Sequence, residues 1–118
     1  MARDPRSFLP LKPVDVPLLL ALSEEERHGY GLVREIAART DGLIELDPGN
    51  LYRVIKRLVD DELVAEAGHR PAHDHENDRR RYYRITALGG RVLTAELHRL
   101  QALVRSPSVR ALTRRVAT

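Results

Sequence analysis

The stretch "DPGNLYRVIKRL", Asp47 to Leu58, has two different sides. Leu51, Val54, Ile55, Leu58 and Val59 recur at helical spacing and make one apolar stripe. Gly49, Arg53, Lys56 and Asp60 fall opposite, with Asn50, Tyr52 and Arg57 on the flanks. Asp47 can accept hydrogen bonds from the free N–H groups of a first turn, and Pro48 has no N–H to leave unpaired there. The pattern predicts a helix reaching about residue 61. It buries one row of side chains and presents a basic, glycine-led row outward.

Working outward, the flanking segments supply partners for that apolar row. Val14 to Leu22 reads as a short, strongly apolar helix with Asp15 as N-cap and Pro17 inside its first turn. "SEEERHG" interrupts the pattern. A second helix is expected from Tyr30 to Arg39, with Tyr30, Val33, Ile36 and Ala37 on its apolar side and Gly42 beyond its end. After the third helix, "ELVAEA" and "RRYYRIT" alternate apolar and polar residues, a strand pattern. The polar "GHRPAHDHENDR" between them reads as a loop, so the two strands make a hairpin. Thr86 caps a last helix whose seam is Leu93, Leu97, Leu100 and Val104, stopped near Pro107. A basic tail follows, and the first twelve residues read as an arm.

Three helices, a hairpin and a further helix is the order of a winged helix-turn-helix. The fold class expected is mainly α with a small β-hairpin, completed by a C-terminal dimerisation helix. The expected division is 1–12 arm, 13–86 winged helix-turn-helix, 87–106 dimerisation helix and 107–118 basic tail. In such a fold the N-terminal part of the third helix enters the DNA major groove. Gly49 lets the backbone approach closely, Asn50 can pair with adenine, and Arg53 can fork onto guanine. Lys56 and Arg57 can reach phosphate or base. Arg79, Arg80 and Arg81 at the base of the wing can hold phosphates. The blander reading keeps these cations as a solvated face and the fold as a protein-interaction module.

Composition narrows the choice. The 118 residues suffice for one domain, and a domain this small is often helped by a partner chain. Hydrophobic residues are 42% and charged residues 31%, a globular balance. The net charge of +3, with a pI of about 9.7, suits a polyanionic partner without requiring one. The absence of cysteine removes disulfides, thiol nucleophiles and thiolate metal sites, and fits a cytoplasmic location. The longest apolar run, Val16 to Leu22, is too short to span a bilayer, so no membrane role is expected. No nucleophile motif, phosphate loop or dinucleotide glycine pattern occurs, so neither an enzyme nor a cofactor is expected.

The sequence resembles the PadR family of bacterial transcriptional regulators. The resemblance runs from about Leu18 to Leu97 and is carried by three pieces in order: "HGY" at residues 28–30, "PGNLYRVIKRL" at 48–58, and "RRYYRIT" at 80–86 with the following glycines. It implies a homodimeric repressor on a roughly palindromic double-stranded DNA operator, released by a small-molecule or stress signal. It also implies that the last helix pairs with its copy, as in the short form of the family. Carried over by position, Tyr30, Pro48, Gly49, Asn50, Tyr52, Arg53 and Lys56 belong to the reading head. Arg79, Arg80, Arg81 and Tyr82 belong to the wing. Each tyrosine can instead brace the head by packing. Members more often carry Ser or Thr where Asn50 stands, so the operator sequence does not transfer.

The dimer is expected to form from the first and last helices, through Leu18, Leu22, Leu93, Leu97, Leu100 and Val104. The alternative is that the last helix folds back on its own head. A small apolar effector between the C-terminal helices would suit a Leu- and Val-lined pocket. Aromatic content of 4% and no tryptophan exclude one built on tryptophan stacking. His69, His73 and His75 in the hairpin loop are weak candidates for a metal, which would make the chain a metal-responsive regulator.

Overall fold

Leu51, Ile55 and Leu58 from the middle of the chain meet Leu18, Leu19 and Leu22 from its start and Leu32 and Ile36 between them, all buried. Each fully buried leucine is worth about 2 kcal/mol relative to exposure. A computed structural model describes residues 3–72 and 75–117, with side chains outside 69–79 and 117. The elements in chain order are a 3-10 turn at Pro5–Phe8, α1 Asp15–Glu24, β1 Arg27–His28, α2 Gly29–Arg39, α3 Pro48–Asp60, β2 Val64–Ala72, β3 His75–Ile85, α4 Ala87–Val104 and α5 Pro107–Ala117. The sheet is antiparallel in the order β1-β3-β2. The fold is the expected winged helix-turn-helix, mainly α with a small sheet.

Several expectations need correction. Asp15 is not the cap of α1 but its first residue. It is buried, and its carboxylate accepts from the Lys12 N–H at 3.1 Å. Pro17 does sit in the first turn, where no intrahelical N–H is needed. The segment between α1 and α2 contains β1, whose two residues pair with Tyr83 and Tyr82 of β3. Two residues are too few to show alternation. The hairpin is longer than expected, because β2 and β3 continue through much of the segment read as loop. There the strands are joined by a backbone ladder, while their sequence shows no apolar alternation. Gly68, at φ +99°, lies at the bulge between Glu66 and Gly68, a conformation that favours glycine. The basic tail, whose sequence also allows a helix, is helical as α5.

The arm is docked. Its Leu11 N–H donates to Glu96 Oε2 of α4 at 2.7 Å, and Arg99 donates to the other carboxylate oxygen. Glu96 is almost fully buried, so these donors replace the water it has lost. Nearby, Thr86 caps α4 by accepting from the Gly89 N–H at 2.9 Å while donating to the Glu62 carbonyl at 2.6 Å. This draws α4 so tightly onto the start of β2 that a Cβ at Gly89 would lie 2.1 Å from the Leu63 carbonyl oxygen.

Two outcomes follow. Gly89→Ala should destabilise the chain by about 2–3 kcal/mol in urea unfolding, because the neighbour is backbone and cannot rotate away. Wild-type stability in that variant would mean that α4 sits further from Leu63. Glu96 has its carboxyl held below the usual range by the Arg99 hydrogen bond, which outweighs burial, helped by the Leu11 N–H. A lowered folded-state value gives stability that is present above the ordinary glutamate range, near 4.3, and lost as pH falls through the lowered value. Acidification should therefore release the arm, seen as lost protection of the Leu11 amide in hydrogen exchange measured across the acid range and corrected for the intrinsic pH dependence of exchange. Glu96→Gln should abolish this pH dependence.

Candidate nucleic-acid interface

α3 begins as its sequence dictates. Asp47 Oδ1 accepts from the Asn50 N–H at 2.8 Å, and Asp47 Oδ2 accepts from the Asn50 side-chain amide at 3.0 Å. The apolar row is buried against α1 and α2. Pro48, Gly49, Asn50, Tyr52, Arg53 and Lys56 are left exposed on the other side. Lys56 pairs with Asp60 one turn on, at 3.0 Å, an exposed contact of little net strength. No hydrogen bond or ion pair joins Arg53 to another described residue, so its guanidinium fork is available. A Cβ at Gly49 would meet Asp47 at an ordinary 3.4 Å, so packing within the chain does not demand glycine there.

Arg57 is placed differently from the rest of this row. Its guanidinium donates to both oxygens of the buried Asp15 carboxylate, at 2.6 and 3.2 Å. A bidentate pair of this kind fixes orientation as well as energy. Arg57 therefore ties α3 to the start of α1 and leaves the outward row to Asn50, Arg53 and Lys56.

Beside α3, the first turn of α2 presents Tyr30, 61% exposed, with the Arg34 guanidinium 5.2 Å from its ring centre. Tyr52 is half-exposed, and its hydroxyl stands 3.1 Å from where a Gly29 side chain would begin. Glycine at 29 thus lets Tyr52 lie across the start of α2. The wing supplies Arg80, within 3.1 Å of His28 Nε2, and Arg81, 3.3 Å from Glu66. Tyr82 meets the His28 ring edge-on at 5.4 Å. Between α2, α3 and β3 lies a cleft of about 560 Å³ whose walls include Tyr30, Tyr52, Arg80 and Arg81. Arg79 lies outside the described side chains, as do His69, His73 and His75.

Sequence reasoning did not single out two members of this surface. Arg34 lies one helical turn from Tyr30, and that spacing was its only signal. His28, in the "HGY" turn, reads as a structural hydrogen-bond donor rather than a ligand. The structure makes it the N-cap of α2, accepting from the Gly31 N–H at 3.1 Å, and also the wing's neighbour. Its strand pairing with Tyr82 carries no local signal.

The residues expected at a dimer interface divide. Leu18, Leu22 and Leu93 are buried within the protomer, so the first half of α4 does fold back on its own head. Leu97 packs against that core, Leu100 is half-buried and Val104 is exposed. Among the described residues no helix is long and apolar enough to cross a membrane.

Arg57→Ala would leave the Asp15 carboxylate buried with the Lys12 N–H as its remaining partner. Discounting for the partial exposure of Arg57, about 2 kcal/mol should be lost in urea unfolding. Arg53→Ala should leave stability within about 0.5 kcal/mol. Equal stabilities for the two variants would contradict the division of roles between these arginines.

Comparison with known proteins agrees with this geometry. The family model of the transcriptional regulator PadR-like family matches residues 18–95. A Lysinibacillus sphaericus protein known as uncharacterized protein X is 36% identical over 76 residues, 64% of this chain and 67% of that protein. A transcriptional regulator from Clostridium thermocellum superposes with a TM-score of 0.63 at 26% identity, over 83% of this chain and 84% of that one. A PadR-like transcriptional regulator from Bacillus cereus shares the fold at 21% identity, with a TM-score of 0.66 over 84% and 89% of the two chains. Bacillus subtilis PadR, solved in complex with operator DNA, shares it at 16% identity, with a TM-score of 0.62 over 73% of this chain and 47% of that chain. With the family match spanning most of the head and the start of α4, the chain belongs to the PadR-like family of transcriptional regulators.

Proposed function

We propose that the chain is a sequence-specific DNA-binding regulator that acts as a homodimer, with α3 as its recognition helix. The observation that carries this is the outward row of Asn50, Arg53 and Lys56 on α3, flanked by Tyr30 and Tyr52 and by the arginines of β3. An amide and a guanidinium three residues apart near a helix start suit adenine and guanine edges in the major groove. Tyr30, Tyr52, Tyr82 and Arg79 to Arg81 then position the head on the backbone. Operator DNA bound by the Bacillus subtilis relative supports the choice of ligand.

The dimer surface in this reading lies further along the chain than the sequence suggests. Leu103 and Val104 at the end of α4 and Leu112 and Val116 on α5 are large apolar side chains left exposed. An eleven-residue helix such as α5 is marginal by itself in water and gains from packing on a second copy. Residues 87–106 with the tail would form the pairing unit, residues 13–86 the head. Repression follows if the operator overlaps a promoter. A small apolar ligand between the C-terminal helices would release it by changing the separation of the two heads.

Selection of bound duplexes from a random pool should enrich a palindromic motif. Arg53→Ala should lose specificity at one position in each half-site at a cost of about 1–3 kcal/mol. No enrichment by the wild-type chain would overturn the DNA-binding function. Leu112→Asp with Val116→Asp should give monomers in sedimentation velocity and weaken operator binding. A dimer that persists would place the pairing surface elsewhere.

A further inference from the structure

His28 faces two donors. The backbone N–H of Gly31 points at Nδ1 from 3.1 Å, and the Arg80 guanidinium stands 3.1 Å from Nε2. A neutral imidazole has one lone pair and one N–H, so it cannot accept from both. Burial, then Arg80, then Arg34 hold the ring's pKa below the usual histidine range, which keeps it neutral. The lone pair belongs to Gly31, because that N–H is one of the first-turn donors of α2 that has no helical partner. Arg80 can turn its other N–H groups to water; the Gly31 N–H is fixed by the helix. Nε2 therefore carries the hydrogen, and it faces the guanidinium. In this tautomer two donors face each other at 3.1 Å. The Tyr82 ring, edge-on to the imidazole, holds its plane.

We propose that His28 Nε2–H and Arg80 form a two-donor clasp for one phosphate oxygen of the DNA backbone, at the cleft between the recognition helix and the wing. An anionic oxygen accepts from both groups at once and removes the repulsion between them. The clasp presupposes the DNA-binding function proposed above. It assigns His28 a direct contact beyond its capping role. Arg80 is half-buried beside β1, whereas Arg81, on the same cleft, is exposed near Glu66. The contact positions the protein and carries no sequence preference.

The probe is a duplex enriched from the random pool by the wild-type chain. His28→Asn keeps a short side-chain acceptor for the helix cap and deletes the Nε2 donor. His28→Gln carries an amide donor near the Nε2 position and loses the short cap. If the clasp exists, His28→Asn unfolds near the wild-type midpoint but binds about tenfold more weakly per half-site. Because the ring is neutral, the salt slope of His28→Asn stays near wild type, whereas Arg80→Met, which removes a cation, is shallower by about 0.9 per protomer. His28→Gln shows the reverse, lower stability with an affinity closer to wild type. In a scan of single neutral methylphosphonates, one position per half-site weakens the wild type and leaves both His28→Asn and Arg80→Met unchanged. A purely capping histidine predicts wild-type affinity in His28→Asn and no such position, which would overturn the clasp. Inorganic phosphate that raises the wild-type midpoint but not that of His28→Asn, with a flat methylphosphonate scan, would make this a free-anion site and overturn it too. No enriched duplex at all would overturn the DNA-binding function, and the clasp with it.

Discussion

Two ladder positions, Arg27 opposite Tyr83 and His28 opposite Tyr82, join the wing to the helical head. The pairing is short, yet its consequences reach every part of the site. α2 starts at the residue after β1, so the strand edge and the helix cap share His28. Arg27 is also anchored, its side chain donating to the Ala21 carbonyl at 2.9 Å and pairing with Glu24 at the end of α1. Arg39, at the far end of α2, reaches the same Glu24. Glu24, the last residue of α1, thus serves as a staple between α1, β1 and α2. With Tyr83 of β3 in the core, the wing cannot pivot without disturbing the first turn of α2. A cleft between recognition helix and wing keeps a defined shape for this reason.

The second constraint is polar and lies inside. A small core has little apolar area to spare, yet this one encloses Asp15 and Glu96. Both carboxylates are satisfied by an arginine together with a backbone N–H from the arm side of the chain. Such pairs gain little net stability over apolar substitutes, because desolvation offsets much of the attraction. Their contribution is register. Apolar packing alone tolerates small rotations of a helix, whereas a bidentate contact from Arg57 to Asp15 permits one. That rotation leaves Asn50, Arg53 and Lys56 outward together. Glu96 does the same for the arm on α4.

The C-terminal third has a divided character. α4 enters the core through Val92 and Leu93, then leaves it, and its last turn and α5 carry apolar side chains into solvent. A helix that serves the protomer with one half and presents apolar surface with the other is suited to join two protomers. Periodicity cannot separate these uses, since Leu93, Leu97, Leu100 and Val104 form one continuous seam on paper. Leu18 and Leu22 illustrate the same ambiguity: a helix apolar on all sides is as well suited to a protomer core as to an interface.

The sequence by itself determined the two faces of α3, the Asp47 and Thr86 caps, the order of the four main helices and the hairpin, and the family motifs. These depend on residues within about four positions of each other, where helical period, strand alternation and capping chemistry act. Tertiary structure alone decided that Arg57 turns inward, that Leu18, Leu22 and Leu93 belong to the protomer's core, that a strand precedes α2, and that His28 meets the wing. The Arg57–Asp15 contact joins residues 42 apart, and the Arg80–His28 contact joins residues 52 apart. An arginine on a helix flank has the same local pattern whether it meets solvent, phosphate or a buried carboxylate. Which of these it meets is decided only when the apolar rows of α1, α2 and α3 close on one another and set the distances between what remains.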